Sequence, residues 1–101
     1  MSNKHPEYLD EAFEEVEREL TQLFIRKYKD YGKGNIVEIG ELGIAFRIIE
    51  KLSRLKNLLM QNKKPEFESL EETWKDIGVY AIIAILYKRS WFKKLELKED
   101  R

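Results

Sequence analysis

The chain has 101 residues, 19 basic and 19 acidic side chains and no cysteine. That length suits one domain, 1–101. A formal charge of zero argues against a protein that coats nucleic acid, and no nucleic-acid partner is expected. Without cysteine there is no disulfide, no thiolate chemistry and no cysteine-held zinc. A single histidine, His5, excludes histidine-rich metal centres and histidine-dependent triads.

Pro6 suits a first helical turn, and Leu9, Ala12, Phe13, Val16, Leu20, Leu23, Phe24 and Ile25 then recur with helical period up to about Tyr28. The other face of this segment is acidic, with Glu14, Glu15, Glu17 and Glu19. A glycine-rich break, KYKDYGKGN over residues 27–35, ends it. A second helix is expected from Val37 to Gln61, and a loop containing Pro65 follows. Ser69 with Glu72 reads as a capping box that opens a third helix, Leu70 to Arg89. The tail, 91–101, carries Trp91 and Phe92 as anchors and then a charged end, either a short helix or disordered. No stretch alternates with period two, so the expected fold is all-α, three long antiparallel helices in a bundle.

Residues 77–87, IGVYAIIAILY, contain no charge. They are too few to span a bilayer, which takes about 18 residues or more, and Met1–Pro6 lacks the apolar core of a signal peptide. The expected location is therefore cytoplasmic, with no membrane partner. A helix apolar on all sides must be covered on all sides. Two other helices leave one side bare, so a homo-oligomer, dimer or tetramer, is expected through residues 77–87. A tail folded over that side is the other reading.

Two polar stripes could carry chemistry. On the second helix Gly43, Arg47, Glu50, Arg54 and Asn57 fall within an arc of about 80°, with Lys51 at its edge. Phe46 and Leu58 flank it, and Gly43 leaves room for a ligand. On the third helix Glu72, Asp76 and Tyr80 stack at four-residue spacing. Two carboxylates one turn apart repel, and a cation between them reverses the sign. If the stripes face each other, Glu50, Glu72 and Asp76 hold Mg²⁺, or Mn²⁺, and Arg47, Lys51 and Arg54 neutralise phosphate oxygens, an arrangement suited to phosphoryl-type hydrolysis. The plainer readings are a capping role for Glu72, a salt-bridge ladder for Arg47, Glu50 and Arg54, and a core position for Tyr80. Asp76 is hardest to dismiss, because an aspartate beside an apolar run is disfavoured unless paired. Glu38 and Glu41 point away from Glu50 and read as first-turn residues favoured by the helix dipole.

ELGIAFRIIEKLSRLKNLL, followed by ESLEETWKDIGVYAIIAIL and preceded by KYKDYG, resembles the nucleotide modification associated domain family, related to the MazG-like all-α nucleotide pyrophosphatases. The resemblance covers roughly residues 24–87. It implies Mg²⁺-dependent cleavage of a nucleoside or deoxynucleoside triphosphate to monophosphate and pyrophosphate. Glu50 then matches an acid of the first metal-binding pair, Glu72 and Asp76 the later pair, and Glu68 an acid one turn earlier. Lys29, Asp30 or Tyr31 would contact base or ribose, while Tyr80, from its place on the stripe with Glu72 and Asp76, is expected to contact the nucleotide. The pattern departs from the family at Arg47, which stands where an acid is expected, and at the second pair, which is one residue longer. The alternatives are a nucleotide-binding module without catalysis and a purely structural helical interaction module.

Overall fold

The computed structural model describes residues 5–62 and 69–98. Four helices follow one another: α1 (Leu9–Tyr31), α2 (Gly34–Gln61), α3 (Leu70–Lys88) and a short α4 (Trp91–Lys94). The described residues contain no strand, so the all-helical class stands. Helix α3 is central and packs against α1, α2 and α4. No helix among the described residues is long and apolar enough to cross a membrane.

Helix α1 extends further than its glycine-rich end predicts. Tyr28, Lys29, Asp30 and Tyr31 stay helical, and the break shrinks to Gly32 and Lys33. Gly32 ends the helix at φ +70°, a conformation that costs little without a Cβ, and its N–H donates to the Tyr28 carbonyl at 2.7 Å. Only the second half of α1 joins the core: Ile25 is buried, and Leu20, Leu23 and Phe24 pack against the central cluster. Leu9, Phe13 and Val16 in the first half stay exposed.

Helix α2 begins three residues earlier than expected and is kinked. Gly40 has φ +67° and ψ −171° inside it, so a short first piece meets a longer second one there. This corrects the role expected for Gly43. A Cβ at Gly43 would lie 2.4 Å from the Cβ of Ile39, so glycine at 43 leaves room for the Ile39 side chain across the kink. It lines no ligand space. The second piece starts at Glu41, which agrees with a first-turn role for that acid.

The capping box is present in its first half: the Ser69 hydroxyl accepts the Glu72 N–H at 3.0 Å. The uncharged run of α3 divides by side. Val79 and Ile83 are buried together with Ile36, Ile44 and Phe92, and Tyr80, Ala84, Leu86 and Tyr87 pack around them. Ala81, Ile82 and Ile85 remain exposed. The tail supplies part of the cover: α4 brings Phe92 into the core at 5% exposure, and Ser90 turns the chain there with φ 64°. Beyond α4, Lys33 fastens the chain to the α1–α2 connection. Its Nζ donates to the Lys93 carbonyl at 3.0 Å and the Leu95 carbonyl at 2.8 Å, and pairs with Glu96 at 2.9 Å.

Candidate functional site

The three long helices meet at one carboxylate. Asp76, on α3, has a side chain only 6% exposed. Lys27 of α1 donates to its Oδ1 at 3.1 Å, and Lys51 of α2 donates to its Oδ2 at 3.0 Å. One turn earlier on α3, Thr73 is fully buried; its hydroxyl donates to the Ser69 carbonyl at 3.1 Å and accepts from Arg54 Nη1 at 3.1 Å. Lys51 and Arg54 are three residues apart on α2, as are Thr73 and Asp76 on α3, so the two pairs form a polar ladder between the helices. Among the described residues no buried side-chain nitrogen or oxygen lacks a partner.

Burial by itself pushes the Asp76 carboxyl up. Hydrogen bonds from Lys51 and Lys27, and the charge of both ammonium groups, outweigh burial and hold it below the ordinary carboxylate value. Asp76 is therefore ionised at neutral pH, with two cations against one anion.

Two cavities open on either side of this cluster. The first, of about 310 Å³, has aromatic walls of Phe24, Tyr28, Tyr31, Tyr80 and Phe92 and a polar edge of Lys27, Asn35, Arg47 and Asp76. The rings of Phe24 and Tyr28 are tilted against each other at a centroid distance of 5.8 Å. The second is a charged cleft of about 430 Å³ that shares Lys27, Tyr31 and Asp76 and adds Glu19, Arg26, Asp30, Glu72 and Lys75. Lys75 bridges Glu19 at 2.9 Å and Glu71 at 3.4 Å across its rim.

The residues expected from sequence are partly gathered here. Asp76, Arg47 and Tyr80 line the first cavity, and Asp76, Glu72 and Asp30 line the second. Lys51 and Arg54 face α3 and spend donors on Asp76 and Thr73. Lys29 is exposed and lines neither cavity. Glu50 is also exposed and lines neither, so the expectation that it shares a face with Arg47 and Arg54 toward Asp76 is not met. The reason is the phase of α2. Its α3-facing side carries Ile44, Arg47, Lys51, Arg54 and Leu55 and is centred on Lys51, not Glu50, which turns Glu50 about 100° away. Glu38 is exposed, and Glu41 is exposed in an ion pair with Lys88 at 3.5 Å. Glu68 lies outside the described residues.

Sequence reasoning missed Lys27, Phe24, Tyr28 and Phe92. Lys27 begins the KYKDYG segment, but its partner lies 49 positions away, a pairing that no local pattern reveals. Phe24 fits the apolar period of α1 and reads as core, and nothing local places Phe92 beside Asp76.

Each Asp76 oxygen already accepts a lysine ammonium, and among the described residues no three acids or histidines are grouped so as to hold a metal ion. As arranged, these residues do not fit Mg²⁺.

Comparison with protein-family models, with curated proteins and with solved structures finds no match.

Proposed function

We propose that the chain binds a nucleoside phosphate in the aromatic cavity between α1, α2 and α3. The observation that carries this reading is the lining: five aromatic residues, together with Lys27 and Arg47, line one cavity. Stacking of a base on aromatic side chains contributes about 1–3 kcal/mol per base. The planar guanidinium of Arg47 matches two phosphate oxygens at once. Asp76 does not repel an anion there, because its charge is answered by two lysines. A volume near 310 Å³ lies at the lower end of small-molecule sites, roughly 300–1,000 Å³. The likeness of residues 24–87 to MazG-like proteins belongs to this proposal and points to the same ligand class.

Titration calorimetry with deoxynucleoside mono- and triphosphates tests it. The expected result is micromolar binding that weakens at least tenfold in Arg47→Ala and in Tyr80→Ala, with the far-ultraviolet circular dichroism unchanged. Absence of heat with every nucleotide at millimolar concentration contradicts it.

The second reading is the pyrophosphohydrolase, favoured by one observation: Asp30, Glu72 and Asp76 line a single cleft that adjoins the aromatic cavity through Lys27. Because the acids as placed do not fit Mg²⁺, no catalytic step is derived through it. Release of pyrophosphate from a nucleotide panel, with and without Mg²⁺, separates the two. Turnover that disappears in Glu72→Gln favours the hydrolase, and binding without product favours the binding module.

A further inference from the structure

The face of α2 opposite the ladder is apolar and uncovered. Leu42 is 70% exposed, Phe46 58%, Ile49 54%, Leu52 46% and Met60 73%. After the kink at Gly40 these residues fall within about 60° of Ile49 on the helix. At about 150 Å² or more for a large side chain, the stripe presents on the order of 400–500 Å² of apolar surface. That is as large as the largest patch on an ordinary monomer, which itself usually marks an interaction site. Ala45, Ser53 and the aliphatic stem of Lys56 are exposed beside it and add to that area, against the roughly 800 Å² per partner of a standard interface.

We propose that this stripe is a two-fold interface with a second copy of the chain, with α2 crossing its counterpart antiparallel about Ile49. An isologous contact must be self-complementary, and the centre of the stripe, residues 45–53, is so about Ile49. Position 46 then faces 52, Phe against Leu. Position 45 faces 53, Ala against Ser, small groups that let the backbones approach. Position 42 faces 56, so Lys56 reaches the half of the other helix where Glu41 flanks Leu42. A second exposed apolar row, Leu9, Phe13 and Val16 on α1, is flanked by Asp10, Glu11, Glu14, Glu15 and Glu17. Two copies meeting there would bring like charges together, which disfavours self-pairing at that row.

The contact also differs from the one expected through residues 77–87, where the bare groups are Ala81, Ile82 and Ile85. Sedimentation velocity and light scattering of the full chain distinguish the faces. The wild type is expected to be a dimer at about 50 μM, Ile49→Glu a monomer with unchanged helix content, and Ile82→Glu still a dimer. Since the chain has no cysteine, Ile49→Cys offers a gentler probe: mild oxidation should convert most of it to a disulfide-linked dimer, whereas Ile82→Cys should stay single. A wild type that is monomeric at several hundred micromolar overturns the proposal. So does an oligomer that survives Ile49→Glu, or one in which only position 82 cross-links.

Discussion

Two acids in this molecule are each held by a lysine and a second donor from a distant element, yet they do different work. Asp76 sits inside, 6% exposed, with Lys27 and Lys51 closing on its two oxygens. Glu96 sits outside, 71% exposed, with Lys33 at 2.9 Å and the Tyr28 hydroxyl donating at 2.8 Å. Both carboxyls lie below their ordinary values. For Glu96 the causes are the Lys33 hydrogen bond and then that from Tyr28, with burial opposing both; for Asp76 the opposing burial is the largest single influence. In return, Glu96 and desolvation hold the Tyr28 hydroxyl above its ordinary value, desolvation being the larger cause. Similar partners thus stabilise very differently, because the surroundings decide what is lost when one is removed. Exposed ion pairs contribute about 0–1 kcal/mol, whereas breaking a buried one strands charge away from water.

The sharpest break of this comparison is Asp76→Ala. It leaves two ammonium groups facing each other between three helices, and the expected loss is about 2–4 kcal/mol, the lower end reflecting the partial exposure of both lysines. At about 4–8 °C per kcal/mol for a domain of this size, Tm in a thermal melt should fall by roughly 10–30 °C. Next comes Thr73→Val, which keeps the shape but removes the hydroxyl that accepts from Arg54 and donates to the Ser69 carbonyl. A loss of about 1–2 kcal/mol is expected in denaturant titration. Glu96→Gln should move Tm within measurement error in moderate salt, because the charge it removes is already screened.

Acid separates the two carboxylates as well. A carboxyl whose folded value is depressed contributes stability that is complete above its unfolded value, about 3.9 for aspartate, and is lost as pH falls through the lower folded value. Stability should therefore decline below about pH 4. Asp76→Asn, which cannot titrate, should flatten that decline, and Glu96→Gln should leave it almost unchanged. Equal flattening by both would mean that Asp76 gains nothing from its burial between the lysines.

The three long helices are legible in the sequence because apolar period, glycine placement and the Ser69 cap are local signals, and they agree. The kink at Gly40 is not, since it depends on the positive φ there and on the Ile39 side chain lying against Gly43. Asp76 stands out by chemistry alone, as an acid beside an uncharged run. Its partners do not: Lys27 is remote in sequence, and Lys51 was placed at the edge of a stripe whose true centre it occupies. A helical wheel gives relative angles but no origin, and the origin is set by which side of α2 meets α3. The same shift of origin turned Glu50 outward and left Leu42, Phe46, Ile49 and Leu52 bare.

Binding of a nucleoside phosphate in the space beside Asp76 is the proposal at stake. It is tested most directly by nuclear magnetic resonance of the labelled chain during titration with a deoxynucleotide. Saturable shifts confined to the rings of Tyr28, Tyr31 and Tyr80 and the guanidinium of Arg47 are the predicted result. Shifts that are absent at millimolar nucleotide, or that spread only over exposed lysines without saturating, would contradict it.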